Sequence, residues 1–203
     1  METYKSLIKS LHDETLIKTP ALLSAFLKIE RHYFIHEDDI PYTGDDKPIS
    51  IGFGQTNSQP RTVAMMLEWL QPQTGQTILD IGCGSGWTSA LLGHITGPSG
   101  QVIGLERIPE LAQFCTQNIE RFNMTHVRIQ TATNQLGLPG QTFDRILVSA
   151  AAESFPDELI NQLNPNGIMV IPVTNDIVVI KKTEDGTCLE QRFSGFRFVP
   201  LIY

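Results

Sequence analysis

The run Thr77 to Trp87, TILDIGCGSGW, constrains this 203-residue chain more than any other feature. Thr77, Ile78, Leu79 and Ile81 favour a buried strand, because β-branched and aliphatic side chains suit a pleated surface packed on both sides. Gly82, Gly84 and Gly86 then permit a tight turn and leave no Cβ atoms between the backbone and a ligand. A helix opens at the end of the turn. A second strand-like run, QVIGLE, ends in Glu106, twenty positions after Gly86. A carboxylate there can accept hydrogen bonds from both hydroxyls of a ribose. Together these residues predict a nucleoside-containing cofactor at the carboxyl ends of two neighbouring strands.

The spacing Gly-x-Gly-x-Gly differs from the Gly-x-Gly-x-x-Gly of pyrophosphate-binding turns. Asp80 stands two positions before the first glycine. This arrangement resembles motif I of the class I S-adenosylmethionine-dependent methyltransferases. S-adenosylmethionine carries a sulfonium and an ammonium group and no phosphate. A carboxylate beside the loop suits it and would repel a pyrophosphate. No P-loop pattern occurs in the sequence.

Around this motif, apolar runs and helical patterns alternate. Thr19–Ile29 reads as a helix with Pro20 in its first turn, and Ser58–Leu70 as another with Ser58 as its cap and Pro60 behind it. Glu30–Asn57 is irregular and polar, and such long connections are often functional. Its acids Glu37, Asp38, Asp39, Asp45 and Asp46 read as solvated surface. After the glycine turn come a helix over Pro109–Phe122, strands at HVRIQ and FDRILVSA, a helix over Pro156–Leu163, strands at GIMVIPV and DIVVIKK, and a last strand near Phe196–Ile202. The turn signal Asn164-Pro165-Asn166-Gly167 falls before the fifth strand. This is the pattern of an α/β, Rossmann-like fold, a mostly parallel sheet with helices on both faces. The length suits one domain over 1–203: N-terminal helices and a substrate-side loop over 1–57, then a cofactor-binding core over 58–203.

The net charge of −7 argues against a nucleic-acid backbone as partner. No run reaches the length of a membrane helix, and METYKSLIKSLHDE has no signal-peptide core. Cys83, Cys115 and Cys188 are far apart, which reads as reduced thiols in a cytoplasmic protein and no zinc site. The five histidines lack metal-ligand spacing, and no Gly-x-Ser-x-Gly elbow is present.

Four further segments occur in order: GFGQTNSQP (Gly52–Pro60), LERIPEL (Leu105–Leu111), FDRILVSAAAESFP (Phe143–Pro156) and FRFVPL (Phe196–Leu201). From about Tyr33 to its end the chain resembles the protein-L-isoaspartate O-methyltransferase family. The resemblance implies a seven-stranded class I fold and methyl transfer from S-adenosylmethionine, leaving S-adenosylhomocysteine, to the free α-carboxylate of isoaspartyl residues in damaged proteins and peptides. It assigns Ser58 to the active site, with Gln55, Thr56 and Asn57 lining the same place. Asp80, Gly82, Cys83, Gly84, Ser85 and Gly86 would form the methionine end of the cofactor pocket. Glu106 would bind ribose, with Arg107 and Ile108 following along the adenosine. The helix start at Ser58, with unpaired N–H groups and a positive dipole end, suits a carboxylate. An enzyme that admits protruding flexible segments is expected to work as a monomer.

The sequence departs from the family at several places. Asp80, Cys83 and Trp87 stand where Glu, Thr and Tyr are usual, and Asn57 replaces an aliphatic residue. Ala132-Thr133-Asn134 replaces a Gly-Asp-Gly whose acid lies near the adenine, which leaves Thr133 as an uncharged acceptor. Thr174-Asn175 replaces a Gly and a Gln. Two other readings follow: a methyltransferase of the same fold acting on another carboxylate or hydroxyl, and a non-catalytic cofactor-binding relative.

Overall fold

The computed structural model describes residues 3–203. The chain opens with helices α1 (Tyr4–Asp13) and α2 (Pro20–Lys28). Tyr4, Leu7, Ile8 and Leu11 recur at helical spacing, so α1 buries one stripe, and the Thr3 hydroxyl caps it by accepting from Ser6 N. This helix is absent from the sequence reading. The stretch read as irregular is partly ordered: 3-10 turns cover Arg31–Phe34 and Glu37–Tyr42, and β1 (Ile49–Gly52) pairs antiparallel with β2 (Gln55–Asn57).

Helix α3 (Pro60–Leu70) leads to β3 (Thr77–Ile81), followed by α4 (Trp87–Thr96), β4 (Gln101–Glu106), α5 (Pro109–Glu120), β5 (Val127–Thr131) and β6 (Phe143–Val148). A hairpin pair closes the sheet: β7 (Leu163–Val173), β8 (Asp176–Lys182) and β9 (Cys188–Ser194). The order is β5-β4-β3-β6-β7-β8-β9, with the first five parallel, β8 antiparallel to β7, and β9 antiparallel to β8. The chain winds outward from β3 to β5 and then crosses to β6. A crevice therefore opens at the carboxyl ends of β3 and β6, where such folds hold ligands.

Alternate strand residues feed two cores. Ile78, Val102 and Leu147 point to the face covered by the α-helices, and Leu79, Ile103 and Ile146 to the other. That second face is covered by a 3-10 helix (Asp157–Gln162) and the loops around Leu136 and Phe155, so helical cover is unequal. The helix expected over Pro156–Leu163 is this single short 3-10 turn.

Two strand expectations also need correcting. The last strand is β9, not Phe196–Ile202: Gly195 (φ +100°) ends it, and Pro200 has no N–H for a ladder. Residues 196–202 instead cross the end of the sheet, where Ala151 N donates to Val199 O and Leu201 N donates to Ala151 O. The Asn164–Gly167 turn lies inside β7, not before it. It is a bulge between the pairs Phe143–Leu163 and Arg145–Ile168, with Asn166 at φ +62°.

Candidate active site

Strand β3 ends in a backbone that only glycine adopts without strain: φ is +74° at Gly82, +55° at Gly84 and +92° at Gly86. Gly82 N and Cys83 N both donate to Leu105 O, at 2.8 and 3.1 Å, which fastens the turn to β4. Glu106, at the end of β4, is only 6% exposed. Its Oε2 accepts from Gly84 N and its Oε1 from Ile108 N, both at 3.0 Å. A carboxylate oxygen accepts more than one hydrogen bond, so Glu106 can hold the loop and still take ribose hydroxyls.

Asp80 lies behind the loop and does not line the cleft. Its Oδ2 accepts from Thr88 Oγ1 (2.7 Å) and Ser89 Oγ (2.6 Å), while its buried Oδ1 has no partner among the described residues. Burial pushes its pKa up to about 6, the two hydroxyls oppose the rise, and the nearby Glu106 charge adds to it. Cys83 faces Cys115 with 3.8 Å between sulfurs. Its hydrogen bond with Cys115 and its burial raise the thiol pKa, so Cys83 stays protonated and is no nucleophile.

One cleft brings together Gln55, Thr56, Asn57 and Ser58 with Gly82, Cys83, Gly84, Ser85, Glu106 and Arg107. Gly86 and Ile108 stand outside its wall, and so does Thr133. Thr133 is exposed, and its Oγ1 accepts from Gln135 N at 3.3 Å. Ala132, whose N donates to Glu106 O (2.9 Å), takes the wall position instead. Other residues of the wall carry no local sequence signal: Ile51, Val63, Ser149, Ala150 and Val199–Ile202. The family resemblance of FRFVPL was the only sequence sign of that last segment.

Ser58 is not the cap of α3. Gln59 occupies the cap position, and the helix begins at Pro60. The start of α3 is also not free to take a carboxylate: Pro60 has no N–H, and Arg61 N donates to Asp46 Oδ1 at 3.0 Å while Arg61 Nε donates to Oδ2 at 2.8 Å. Asp46, read as solvated surface, therefore caps this helix. Ser58 is half-buried at the junction of the cleft and a second groove lined by Met65, Phe196 and Arg197. Its hydroxyl makes no hydrogen bond among the described residues.

Arg31 carries the geometry of this segment and had no sequence signal beyond its charge. It is fully buried. Its Nη2 donates to the carbonyls of Lys47 (2.7 Å), Asn57 (3.0 Å) and Ser58 (2.9 Å), its Nη1 to Asp45 O (3.1 Å) and its Nε to Asn57 Oδ1 (2.7 Å). Burial lowers its pKa to about 10, which leaves it charged at neutral pH. Trp87 packs 5.6 Å beneath the guanidinium and donates Nε1–H to Ile29 O.

A parallel sheet with this order, a glycine turn ending β3 and an acid ending β4 define a class I S-adenosylmethionine-dependent methyltransferase. The family model described as protein-L-isoaspartate(D-aspartate) O-methyltransferase matches residues 2–203, and the chain belongs to that family. It is similar to a protein-L-isoaspartate O-methyltransferase of Methanopyrus kandleri (39% identity, 97% of this chain and 89% of that one). It is similar also to that of Pyrococcus horikoshii (36% identity, 99% and 93%). Among solved structures it is similar to a protein-L-isoaspartate O-methyltransferase of Plasmodium falciparum in complex with S-adenosyl-L-homocysteine (TM-score 0.86, 26% identity, 99% of both chains).

Proposed function

We propose that this protein transfers a methyl group from S-adenosylmethionine to the free α-carboxylate of L-isoaspartyl residues in damaged proteins, as a step of protein repair. One observation carries the reading: the acceptor segment Gln55–Ser58 and the cofactor elements Gly82–Ser85 and Glu106 share one cleft. The residues fit the cofactor. Gly84 leaves its backbone bare to the cleft, Glu106 presents acceptors to a ribose, and Ile81, Leu105 and Ala132 give an apolar lining. When bound, S-adenosylmethionine supplies an electrophilic methyl on its sulfonium. The protein supplies position. An acceptor carboxylate is ionised at neutral pH, so no general base is required, and the Ser58 hydroxyl is the proposed donor to it. Orientation of the two reactants is then the main catalytic contribution.

All seven strands join one hydrogen-bonded sheet, which supports a single domain. The outer strands β5 and β9 carry Arg128, Gln130, Glu190 and Arg192, which disfavour edge pairing and support a monomer. Three free cysteines support a reducing compartment such as the cytoplasm, and no helix among the described residues is long and apolar enough to cross a membrane.

The test is methyl transfer from labelled S-adenosylmethionine to a short isoaspartyl peptide, with its aspartyl isomer as control. Labelling of the isoaspartyl peptide alone is expected. Labelling of neither, with S-adenosylhomocysteine binding intact, would assign the cleft to another acceptor. Ser58→Ala is expected to lower kcat by up to about a hundredfold through lost orientation of the acceptor, with cofactor affinity changed less than about threefold. A fall in stability alone would reduce Ser58 to a structural residue.

A further inference from the structure

The cofactor loop and the acceptor segment belong to different sheets. β1 and β2 form their own two-stranded ribbon, which shares no ladder with the seven-stranded sheet. Their relative position is therefore set by side chains. Asn57 is 4% exposed, at the end of β2. Its Nδ2 donates to Ser85 Oγ at 3.2 Å, and its Oδ1 accepts from Arg31 Nε at 2.7 Å. Ser85 is 2% exposed, and its own carbonyl is held by Asn118 Nδ2 at 3.0 Å from α5. Arg31 in turn holds the carbonyls of Asn57 and Ser58. A buried polar chain thus runs from Ser58 through Arg31 and Asn57 to Ser85 and α5.

We infer that Asn57 is a positioning residue: its amide joins the cofactor loop to the segment carrying Ser58 and fixes the distance between methyl donor and acceptor. The inference rests on the methyltransferase reading above. Asn57 Oδ1 and Nδ2 each bind a protein partner, so its amide acts through Arg31 and Ser85. Methyl transfer is steep in distance, and a displacement of about 1 Å can cost about a hundredfold in rate. Breaking the link should therefore lower kcat while each ligand, bound to its own loop, keeps its affinity.

Three variants test this: Asn57→Leu, which removes both contacts; Ser85→Ala, which removes only the bridge and leaves Asn57 on Arg31; and Asn57→Asp, whose carboxylate accepts from both Arg31 and the Ser85 hydroxyl. The expected kcat is lower by about thirtyfold in Asn57→Leu and about tenfold in Ser85→Ala, and within about threefold of wild type in Asn57→Asp. The KM for isoaspartyl peptide and the Kd for S-adenosylhomocysteine should stay within about threefold throughout. Amide exchange gives a readout free of the reaction. S-adenosylhomocysteine should protect Ile49–Asn57 in wild type and fail to do so in Asn57→Leu and Ser85→Ala. Unchanged kcat in both disrupted variants, loss confined to KM, or equal protection of the ribbon in all proteins would overturn the inference. If wild type leaves the isoaspartyl peptide unlabelled yet shows link-dependent protection, the positioning role stands and the acceptor assignment falls. If Asn57→Leu does not fold, Ser85→Ala decides.

Discussion

Folding takes the Asp80 carboxyl out of water and gives one of its oxygens two hydroxyl donors and the other none. Its folded pKa of about 6 lies above the unfolded value of 3.8, so the native protein keeps a proton that the unfolded chain releases. Stability from this group is fully present below pH 3.8 and is lost as pH rises through about 6. The expected loss is about 3 kcal/mol between pH 3 and 8. Urea unfolding across that range should show the stability of wild type minus that of Asp80→Asn falling by this amount as pH rises, and a constant difference would remove the assignment. A second residue-scale prediction concerns Gly84, whose φ of +55° a β-branched residue avoids and whose Cβ would lie 3.2 Å from Ile51 Cδ1. Gly84→Val should abolish S-adenosylhomocysteine binding by calorimetry in a chain that keeps its circular dichroism; binding within threefold of wild type would move the pocket elsewhere. The glycines and Glu106 were legible because backbone freedom and a strand-end charge are local properties. Arg31, Asp46 and the true partners of Asn57 were not. Their roles depend on contacts 15 to 28 residues away along the chain, which no local pattern encodes.

Among the elements, α4 shows how one missing methyl group sets a packing distance. A Cβ on Gly93 would meet Val127 Cγ2 at 2.4 Å and Met124 Sδ at 3.0 Å. Helix propensity alone favours Gly93→Ala by about 1 kcal/mol. Overpacking of this kind costs about 1–3 kcal/mol, and β5 cannot retreat without breaking its ladder to β4. Gly93→Ala should therefore lower the urea midpoint; a raised midpoint would mean that the 123–127 turn yields. Strands β3, β4 and β6 to β8 were readable because burial on both faces leaves near-continuous apolar runs. β9 was not, because it is an edge strand exposed along most of its length, with Leu189 57% exposed. The β1–β2 ribbon escaped because seven residues broken by Gly52 and Gly54 carry too little periodicity. α1 carries the apolar spacing of a helix in Tyr4, Leu7, Ile8 and Leu11.

At the scale of the whole molecule, the sheet divides by the length of chain its pairings must close. In the β7–β8 hairpin, Val173 faces Asp176 across a two-residue turn. The centre of the sheet joins β3 to β6, where Thr77 N donates to Asp144 Oδ2 across 67 residues. Closing the longer loop costs more chain entropy and is slower. The glycine turn hangs from β3, and its cleft partners come from residues 55–58 and 199–202, so the binding site draws on segments far apart along the chain. The order of events in refolding follows: the carboxy-terminal meander gathers first and the β3–β6 seam closes afterwards. Ligand affinity should therefore be among the last properties recovered after dilution from urea. Stopped-flow far-ultraviolet signal should precede the capture of S-adenosylhomocysteine, and simultaneous recovery would contradict this order. A newly made chain would then own most of its secondary structure before it could hold its methyl donor.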